Sequence, residues 1–257
     1  MRHEIFDPLL ERTDLRPRPL PDLSVVIAAK DEAGAIAGLI REIDTALAGE
    51  RFEIIIVDDG SGDATAEIVR DIGRAHPHVV LFGHRVSCGQ SAAIRTGVQA
   101  ALGPLIVTLD GDGQNDPADI PALLARYRDA AGSVPARMIA GQRARRNDSL
   151  VKRLSSRIAN RVRAGLLGDG IADTGCGLKL FEREAFLRLP YFDHMHRFLP
   201  ALMQREGYRV LTHMVNHRAR RTGRSKYGTW GRLRVGIVDL AGVYWLRSRF
   251  TRPEIVE

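Results

Sequence analysis

Two carboxylates, Asp110 and Asp112, stand one residue apart directly after the apolar stretch 105–109. Hard divalent cations such as Mg²⁺ and Mn²⁺ prefer oxygen ligands, and a diphosphate can supply the ligands that the protein does not. This spacing therefore indicates a site shared by a metal ion and a nucleotide. An Asp- and Gly-rich turn is the competing interpretation. A calcium EF-hand fits poorly, because Ile, Pro and Ala at 120–122 occupy the region of its final glutamate.

The elements around these carboxylates alternate between strand and helix. Buried strands are predicted at 23–29, 52–57, 79–82 and 105–109, and helical patterns lie between them. Alternation at about thirty-residue intervals predicts a largely parallel sheet, with ligand groups collecting at the carboxyl ends of the strands. Acidic residues follow the first, second and fourth strands: Asp31 and Glu32, Asp58 and Asp59, Asp110 and Asp112. We therefore expect these groups to meet at one edge of the sheet.

The second half of the chain is rich in cations. A helix is predicted at 120–127 and a strand at 135–140, followed by a basic run and a helix that begins at residue 149. A glycine-punctuated turn at 173–181 leads into a further strand, and a last strand at 208–215 precedes a cationic loop at 217–227. Arg and Lys donors in such segments can bind phosphate oxygens. A solvated basic face over an apolar stripe is the simpler interpretation of the basic helix.

Composition limits the class of protein. With 257 residues and 44% hydrophobic content, the chain can bury a sizeable core. Its two cysteines lack the spacing of a zinc site or a disulfide framework, which favours a reducing cytoplasm. The net charge of +7 favours a polyanionic partner, which could be a phosphorylated substrate, an anionic membrane surface or a nucleic acid. No apolar run reaches the roughly 18 residues that cross a bilayer.

Three segments are predicted along the chain. Residues 1–22 form an extended, proline-containing arm in which no signal peptide is expected, and residues 23–228 form the domain that carries the acidic and basic motifs. Residues 229–257 contain an apolar helix flanked by arginines and aromatic residues. That helix suits a membrane interface, and a buried helix or a contact in a homo-oligomer is the alternative.

Six motifs in order carry a resemblance to a known family. They are VVIAAKDEAGAI, IIIVDDGSGDAT, VTLDGDGQNDP, GQR, DTGCGLKLFERE and RTGRSKYG. Together they resemble the family-2 glycosyltransferases of the GT-A fold, an α/β fold with a mostly parallel, Rossmann-like sheet flanked by helices. Within that family they are most similar to the polyprenyl-phosphate branch, which includes dolichol-phosphate mannose synthases and undecaprenyl-phosphate sugar transferases. The resemblance spans residues 23–246.

The resemblance implies a donor site for a nucleotide diphosphate sugar. It assigns the metal, Mg²⁺ or Mn²⁺, to Asp110, Asp112 and Gln114. The remaining donor contacts fall on Ala28, Lys30, Glu32, Val57, Asp59, Gly111 and Arg143. The family often has proline and tyrosine at the positions of Ala28 and Lys30, so the resemblance leaves the base open between uridine and guanosine. Asp173 matches an acidic residue whose role, catalytic or structural, stays open.

The resemblance also implies an acceptor site for a polyprenyl phosphate. Lys152 and Ser156 match groups near the acceptor phosphate, and Arg220 and Lys226 lie in a loop that closes over both substrates. It therefore implies inverting sugar transfer at the cytoplasmic face of the plasma membrane by a peripheral or monotopic enzyme, in cell-envelope glycan synthesis or lipid modification. A polysaccharide or protein acceptor, a basic nucleic-acid-binding protein and an inactive scaffold are the alternatives. The nucleic-acid alternative lacks RNA-recognition signatures and aromatic stacking platforms.

Overall fold

The centre of the protein is one seven-stranded sheet. The computed structural model describes residues 19–130, 135–143, 163, 165–218 and 229–251. The strands follow the order β3-β2-β1-β4-β6-β5-β7 across the sheet. They are β1 (Leu23–Ala29), β2 (Phe52–Asp58), β3 (Val79–Gly83), β4 (Leu105–Asp110), β5 (Ala136–Arg143), β6 (Lys179–Glu182) and β7 (Arg209–Val215).

Most neighbouring strands run parallel. Strands β1, β2, β3 and β4 are mutually parallel, and β5 is parallel to β7. The short strand β6 is antiparallel to both of its neighbours, β4 and β5. The prediction of a mostly parallel sheet is therefore confirmed, with one reversed strand. The reversal brings the turn before β6 to the carboxyl end of β4, where the predicted site lies.

Helices flank the sheet. They are α1 (Ile36–Ala46), α2 (Thr65–Ala75), α3 (Gln90–Ala100), α4 (Ile120–Asp129), α5 (Arg183–Leu187), α6 (Leu199–Arg205) and α7 (Thr229–Ser248). Helix α1 buries Ile36, Leu39, Ile40 and Ile43, which form a single stripe at helical spacing. Helix α3 lies close to the sheet at Gly97, where a Cβ atom would come within 2.4 Å of Val26 Cγ1. The small residues of α3 thus explain its close approach.

Both faces of the sheet are buried. Val25 and Ile27 belong to one apolar core, whereas Val26 and Val57 belong to the core on the other face. Strands covered on both sides appear in a sequence as continuous apolar runs, which is why β1, β2 and β4 were predictable. Burial of each such side chain contributes about 1.5–3 kcal/mol relative to exposure. The carboxyl ends of the strands are therefore held in a rigid frame.

Helix α7 packs against the second core through Val243 and Leu240 and exposes much of its remaining apolar surface. Val243 is fully buried, and the Arg205 side chain donates to the backbone oxygen of Leu246 at 3.1 Å. Ile237, Val238 and Trp245 are each about 60% exposed. Among the residues that the structure describes, none of the helices has both the length and the apolar character that crossing a bilayer requires. The proposed division of the chain at residue 229 stays a prediction.

Candidate active site

The register of the sheet brings three predicted donor-site residues into one row. Ala28 on β1 pairs with Val57 on β2 and with Asp110 on β4. The loops that follow these three strands therefore leave the sheet side by side. The Val57 side chain is fully buried in the core, and its predicted contact with the donor stays a prediction. The three strand ends therefore lie side by side, as their alternation with helices predicted.

The Asp110 carboxylate ends β4 between α3 and the turn before β6. Gln90, at the start of α3, donates to Asp110 Oδ1 at 2.7 Å. Burial and the negative charge of Asp112 raise the pKa of Asp110, against the opposing effect of Lys179. A positive charge held between the two neighbouring carboxylates would relieve their repulsion. This donor set therefore fits a divalent cation.

The absence of a side chain at Gly177 allows the Asp110 carboxylate to take its observed position. A Cβ atom on Gly177 would lie 2.3 Å from Asp110 Oδ2 and 2.6 Å from Oδ1, closer than non-bonded atoms approach. The backbone oxygen of Gly177 also accepts a hydrogen bond from Thr108 Oγ1 at 2.7 Å, which ties this turn to β4. Glycine is needed here because the carboxylate fills the space of a side chain.

The loop after β4 folds back on itself. Asn115 Oδ1 accepts a hydrogen bond from the backbone N–H of Asp110 at 3.1 Å, and Asp112 Oδ1 accepts one from that of Gln114 at 3.1 Å. Gly111 packs against β1, since a Cβ atom there would lie 3.3 Å from the Ala28 oxygen. Asp112 is buried. These contacts hold the proposed metal ligands in one compact turn.

Residues after β7 attach to this turn. The backbone N–H of Arg218 donates to the Gln114 oxygen at 2.9 Å, and the Gln114 side-chain amide lies 3.5 Å from His217 Nε2. The Arg218 guanidinium pairs with both Glu42 on α1 and Asp116. The segment after β7 is thus attached to the loop that carries the proposed metal ligands, and its last described residue, Arg218, stands two residues before Arg220. Arg220 and Lys226 lie outside the described residues, as do Lys152 and Ser156.

Hydrogen bonds join the loops after β1 and β2. The backbone N–H groups of Asp31 and Glu32 donate to Ser61 Oγ at 2.9 Å and Thr65 Oγ1 at 2.8 Å, respectively. Asp31 has a positive φ of 56° and accepts from the Gly62 N–H at 2.7 Å. Lys30 and Glu32 are partly buried within this double loop. Both stand beside the row that ends in Asp110.

Asp59 organises the loop between β3 and α3. Its two oxygens accept four hydrogen bonds, from His84 Nδ1 at 2.8 Å, Ser87 Oγ at 2.7 Å, and the N–H groups of Cys88 and Gly89 at 2.7 and 2.9 Å. Burial alone would raise the pKa of Asp59, but these donors together lower it. Because both of its oxygens accept these hydrogen bonds, Asp59 fixes the conformation of the loop between β3 and α3.

Asp59→Asn should destabilise the protein by about 2–3 kcal/mol at neutral pH, because a neutral amide cannot replace all the hydrogen bonds that the charged carboxylate accepts. The lowered pKa of Asp59 means that its stabilising contribution is complete above the unfolded value of about 3.9. It is lost as the pH falls through the native value. The difference in unfolding free energy between wild type and variant, measured by urea titration at descending pH, should therefore shrink in acid.

Asp71→Asn is the control for that series, since Asp71 forms an exposed ion pair with Arg74. Exposed pairs contribute little to stability, so this variant should unfold close to wild type at every pH. A difference between wild type and Asp59→Asn that stays constant down to pH 3 would contradict the role of the Asp59 charge.

Arg143 is held by Asp173 in a two-point ion pair. Its Nε lies 2.6 Å from Asp173 Oδ2 and one terminal nitrogen lies 2.7 Å from Oδ1. The pair is largely buried, and such fork-to-fork geometry fixes the plane of a guanidinium. The structure therefore gives Asp173 an orienting contact with Arg143, beside the carboxylate of Asp110.

A cavity of about 350 Å³ opens beside Asp110. Polar and charged groups from several elements line it: Gln90, Thr108, Asp110, Arg143, Asp173, Lys179, His196 and Arg197. His196 Nδ1 lies 2.7 Å from the Ser91 hydroxyl oxygen, which fixes the ring. Burial and the charges of Lys179 and Arg197 hold the pKa of His196 well below its usual value. The cavity can therefore receive a polar group next to the proposed metal.

Asp59, His84 and Cys88 form a second group that offers metal-ligand atoms within 4.8 Å of one another, and it is the one group of three or more found in the described part of the chain. The His84 Nδ1 and both Asp59 oxygens are already joined by hydrogen bonds, and His84 Nε2 lies 3.0 Å from the Thr96 hydroxyl. The donor chemistry of Asp110, Asp112 and Gln114, oxygen atoms only, suits Mg²⁺ or Mn²⁺ better.

Several residues of this site were not singled out from the sequence. Gln90, Gly177, Lys179 and His196 surround Asp110 or line its cavity. Gly177 and Lys179 lie in the DTGCGLKLFERE motif, which indicates a glycine-rich turn into a strand and carries part of the family resemblance without assigning a role to either residue. Gln90 could have been predicted from the sequence, because it begins a helix directly after Gly89. His196 carried no signal beyond its residue type.

A mostly parallel sheet with paired carboxylates at the carboxyl ends of its strands, one reversed strand and a polar cavity beside them is the arrangement of the GT-A fold. Comparison with known families agrees with this class. The model of Glycosyl transferase family 2 matches residues 24–189. The chain belongs to that family and is a glycosyltransferase.

Relatives and solved structures extend the comparison. The chain is 33% identical over 238 residues to dodecaprenyl-phosphate galacturonate synthase of Rhizobium johnstonii, covering 90% of this chain and 69% of that protein. It is 33% identical over 215 residues to undecaprenyl-phosphate 4-deoxy-4-formamido-L-arabinose transferase of Klebsiella pneumoniae, covering 81% of this chain and 63% of that protein.

Glucosyl-3-phosphoglycerate synthase of Mycobacterium tuberculosis, in a crystal structure with Mn²⁺, UDP and glucosyl-3-phosphoglycerate, has the same fold. Its TM-score is 0.66 at 19% identity, over 90% of this chain and 81% of that one. The chain thus has the fold of a structure that holds a metal and a nucleotide. It spans less than two thirds of the length of the Klebsiella relative.

Proposed function

We propose that the protein transfers a sugar from a nucleotide diphosphate sugar to a polyprenyl phosphate, with Mg²⁺ or Mn²⁺ and with inversion at the anomeric carbon. The observation that carries the proposal is the cavity beside Asp110, where carboxylates and cations meet at the ends of β4 and β5 and the start of β6. Its family supports the reaction class. The names of its relatives from Rhizobium and Klebsiella support the lipid phosphate acceptor.

The proposed chemistry needs positioning more than base catalysis. A phosphate monoester is anionic at neutral pH and needs little deprotonation before it attacks the anomeric carbon. The obstacle is the repulsion between this nucleophile and the donor diphosphate. Arg143, oriented by Asp173, and the cavity cations Lys179 and Arg197 offset that repulsion. Holding both substrates in line then supplies much of the rate.

Asp110 and Asp112, with Gln114, would hold the metal ion. The carboxylates of Asp110 and Asp112, the first partly buried and the second buried, repel each other and fit a divalent cation. The bound ion would act as a Lewis acid that supports charge on the departing nucleoside diphosphate. The contribution of the chain itself is to fix these ligands, through Gln90 on Asp110 and the turn contacts of residues 110–115.

We further propose that the protein acts on the cytoplasmic face of the plasma membrane, where α7 contacts lipid. The exposed apolar residues of α7 include Ile237, Val238 and Trp245, and arginines stand at both ends of the helix. Apolar and aromatic side chains with flanking cations suit the interface of an anionic bilayer. Each cation near such a surface contributes about 1 kcal/mol. A homo-oligomer that buries the same surface is the competing proposal.

Nucleoside diphosphate release from a panel of UDP- and GDP-sugars tests the proposed reaction. Each donor is incubated with Mn²⁺ or Mg²⁺, with and without a short polyprenyl phosphate. We expect release that requires both the metal and the lipid phosphate, together with a lipid-linked sugar product. The panel also names the donor.

Two other results would revise the proposal. Metal-dependent donor binding without release on adding lipid would point to a different acceptor, such as a small phosphorylated molecule or a polysaccharide. Failure of every donor to bind in the presence of metal would overturn the proposed donor site.

A further inference from the structure

His196 faces the cavity beside Asp110 from the segment between β6 and β7. It lies in a single 3₁₀ turn, Met195–Arg197, in which Met195 is buried and the Arg197 N–H donates to the His194 oxygen at 3.0 Å. His194 has a positive φ of 65°, a conformation that residues other than glycine keep only where their surroundings impose it. The backbone that presents His196 to the cavity is therefore fixed.

Two hydrogen bonds with Ser91 hold the His196 side chain. Ser91 is buried in the first turn of α3. The backbone N–H of His196 donates to Ser91 Oγ at 3.2 Å, and His196 Nδ1 lies 2.7 Å from the same oxygen. A hydroxyl has one hydrogen to donate, and among the described residues Nδ1 is the one acceptor that Ser91 Oγ contacts. The hydroxyl therefore donates to Nδ1.

This contact determines where the imidazole carries its hydrogen. A ring whose Nδ1 accepts a hydrogen bond is neutral and bears its hydrogen on Nε2. Burial and the positive charges of Lys179 and Arg197, which lower the pKa of His196, also favour the neutral ring. Within the described part of the chain, the Nε2–H group has no hydrogen-bond partner. His196 thus offers the cavity one uncharged donor at a fixed position.

An uncharged donor suits the sugar better than the phosphates. The proposed function assigns the phosphates of both substrates to the metal ion and to cations such as Arg143 and Lys179. The sugar is bonded directly to the donor diphosphate, so it lies beside the metal that Asp110 and Asp112 would hold. Its hydroxyl groups are neutral, and each can accept a hydrogen bond from a neutral N–H group.

We propose that His196 donates a hydrogen bond from Nε2 to one hydroxyl oxygen of the transferred sugar and thereby selects among donor sugars. This inference rests on the proposed function, because it places the sugar in the cavity beside Asp110. Ser91 is the positioning residue, since it fixes both the ring and its tautomer. A donor analogue without that hydroxyl leaves the Nε2–H group unpaired, which is the basis of its rejection.

Deoxy analogues of the donor sugar test this inference. The most active donor of the UDP- and GDP-sugar panel is compared with its analogues that each lack one hydroxyl group, and kcat/KM is measured with a polyprenyl phosphate. Wild type should discriminate against one analogue by about 10-fold through His196, the loss expected when a donor is left unpaired. His196→Asn should abolish this discrimination and leave that against the other analogues unchanged.

The choice of variants separates the two nitrogen atoms of the ring. The amide of asparagine takes the place of Nδ1, so His196→Asn can keep the contact with Ser91 but has no donor at the position of Nε2. His196→Gln brings an amide to the position of Nε2 and should keep a part of the discrimination. His76→Gln, at an exposed histidine directly after α2, should behave as wild type. Equal discrimination in His196→Asn and wild type would overturn the inference.

Nitrogen NMR of the histidine-labelled protein tests the tautomer without any substrate. The signals of His196 are those missing from the spectrum of His196→Gln. At pH 7 they should show a neutral ring with its hydrogen on Nε2, and Ser91→Ala should introduce the other tautomer. A charged ring in wild type, or a hydrogen on Nδ1, would contradict the inference.

The nucleotide and the lipid phosphate provide the remaining tests. If His196→Asn weakens the binding of free UDP or GDP as much as that of the sugar donor, then the ring contacts a phosphate and the inference is wrong while the function stands. A higher KM for the lipid phosphate with every donor would have the same meaning. If neither sugar donors nor free UDP and GDP bind with Mn²⁺, the proposed function fails and the inference fails with it.

Discussion

Replacing Asp112 with asparagine should lower kcat by about 10³-fold while the protein stays folded. Metal-ion stabilisation of charge in a transition state contributes several kcal/mol, and about 4 kcal/mol corresponds to that factor. Asparagine has the shape of aspartate and can still accept the hydrogen bond from the Gln114 N–H. The loss should therefore come from the missing charge. Turnover and Mn²⁺ affinity, measured on the same preparation, should fall together.

Asp119→Asn is the matched control in the same loop. Asp119 accepts hydrogen bonds from the backbone and side chain of Asn216, at 2.6 and 2.9 Å, away from the proposed metal ligands. Its neutralisation should cost about 1 kcal/mol of stability and leave Mn²⁺ affinity unchanged. Full activity in Asp112→Asn would show that this carboxylate is not a metal ligand.

Gly177→Ala should lower kcat by about 10²-fold through its effect on the Asp110 carboxylate. The new methyl group would occupy the place of the Asp110 carboxylate, whose oxygens lie 2.3 and 2.6 Å from the ideal Cβ position. The carboxylate must rotate, which breaks its hydrogen bond from Gln90. A displacement of about 1 Å at a reacting centre can cost about 10²-fold in rate. Steady-state kinetics and a Mn²⁺ titration measure the effect.

Gly175→Ala tests whether the effect is specific. A Cβ atom on Gly175 meets its nearest neighbour, an Arg143 nitrogen, at 3.4 Å, which is ordinary contact. This variant should retain activity close to wild type, and both variants should have melting temperatures near that of the native protein. A Gly177→Ala protein with normal Mn²⁺ affinity and normal turnover would contradict the packing of Asp110 against residue 177.

The strands that position the site were largely predictable. β1, β2 and β4 are buried on both faces, so their sequences are largely apolar runs that lead into acidic residues. Their parallel direction followed from their alternation with helices. The row of Ala28, Val57 and Asp110 is the direct result. Chemistry carried by residues within one strand and its following loop is thus visible in the sequence.

Contacts between distant segments were not predictable in the same way. Gln90 reaches Asp110 from the start of a helix twenty positions earlier, and Ser91 reaches His196 across 105 positions. Strand β6 has four residues, too few for a periodic pattern to reveal its reversed direction. The importance of Gly177 depends on β6 lying antiparallel beside β4, which no local pattern encodes. These contacts depend on tertiary packing, which local patterns in the sequence do not reveal.

In the proposed reaction, a lipid phosphate displaces a nucleoside diphosphate from the anomeric carbon of a sugar. The most direct test is the anomeric configuration of the purified lipid-linked product, measured by NMR after reaction with an α-linked donor and Mn²⁺. A β-linked sugar phosphate on the polyprenyl chain is the predicted result. An α-linked product, or a sugar recovered on any acceptor other than the lipid phosphate, would contradict the claim.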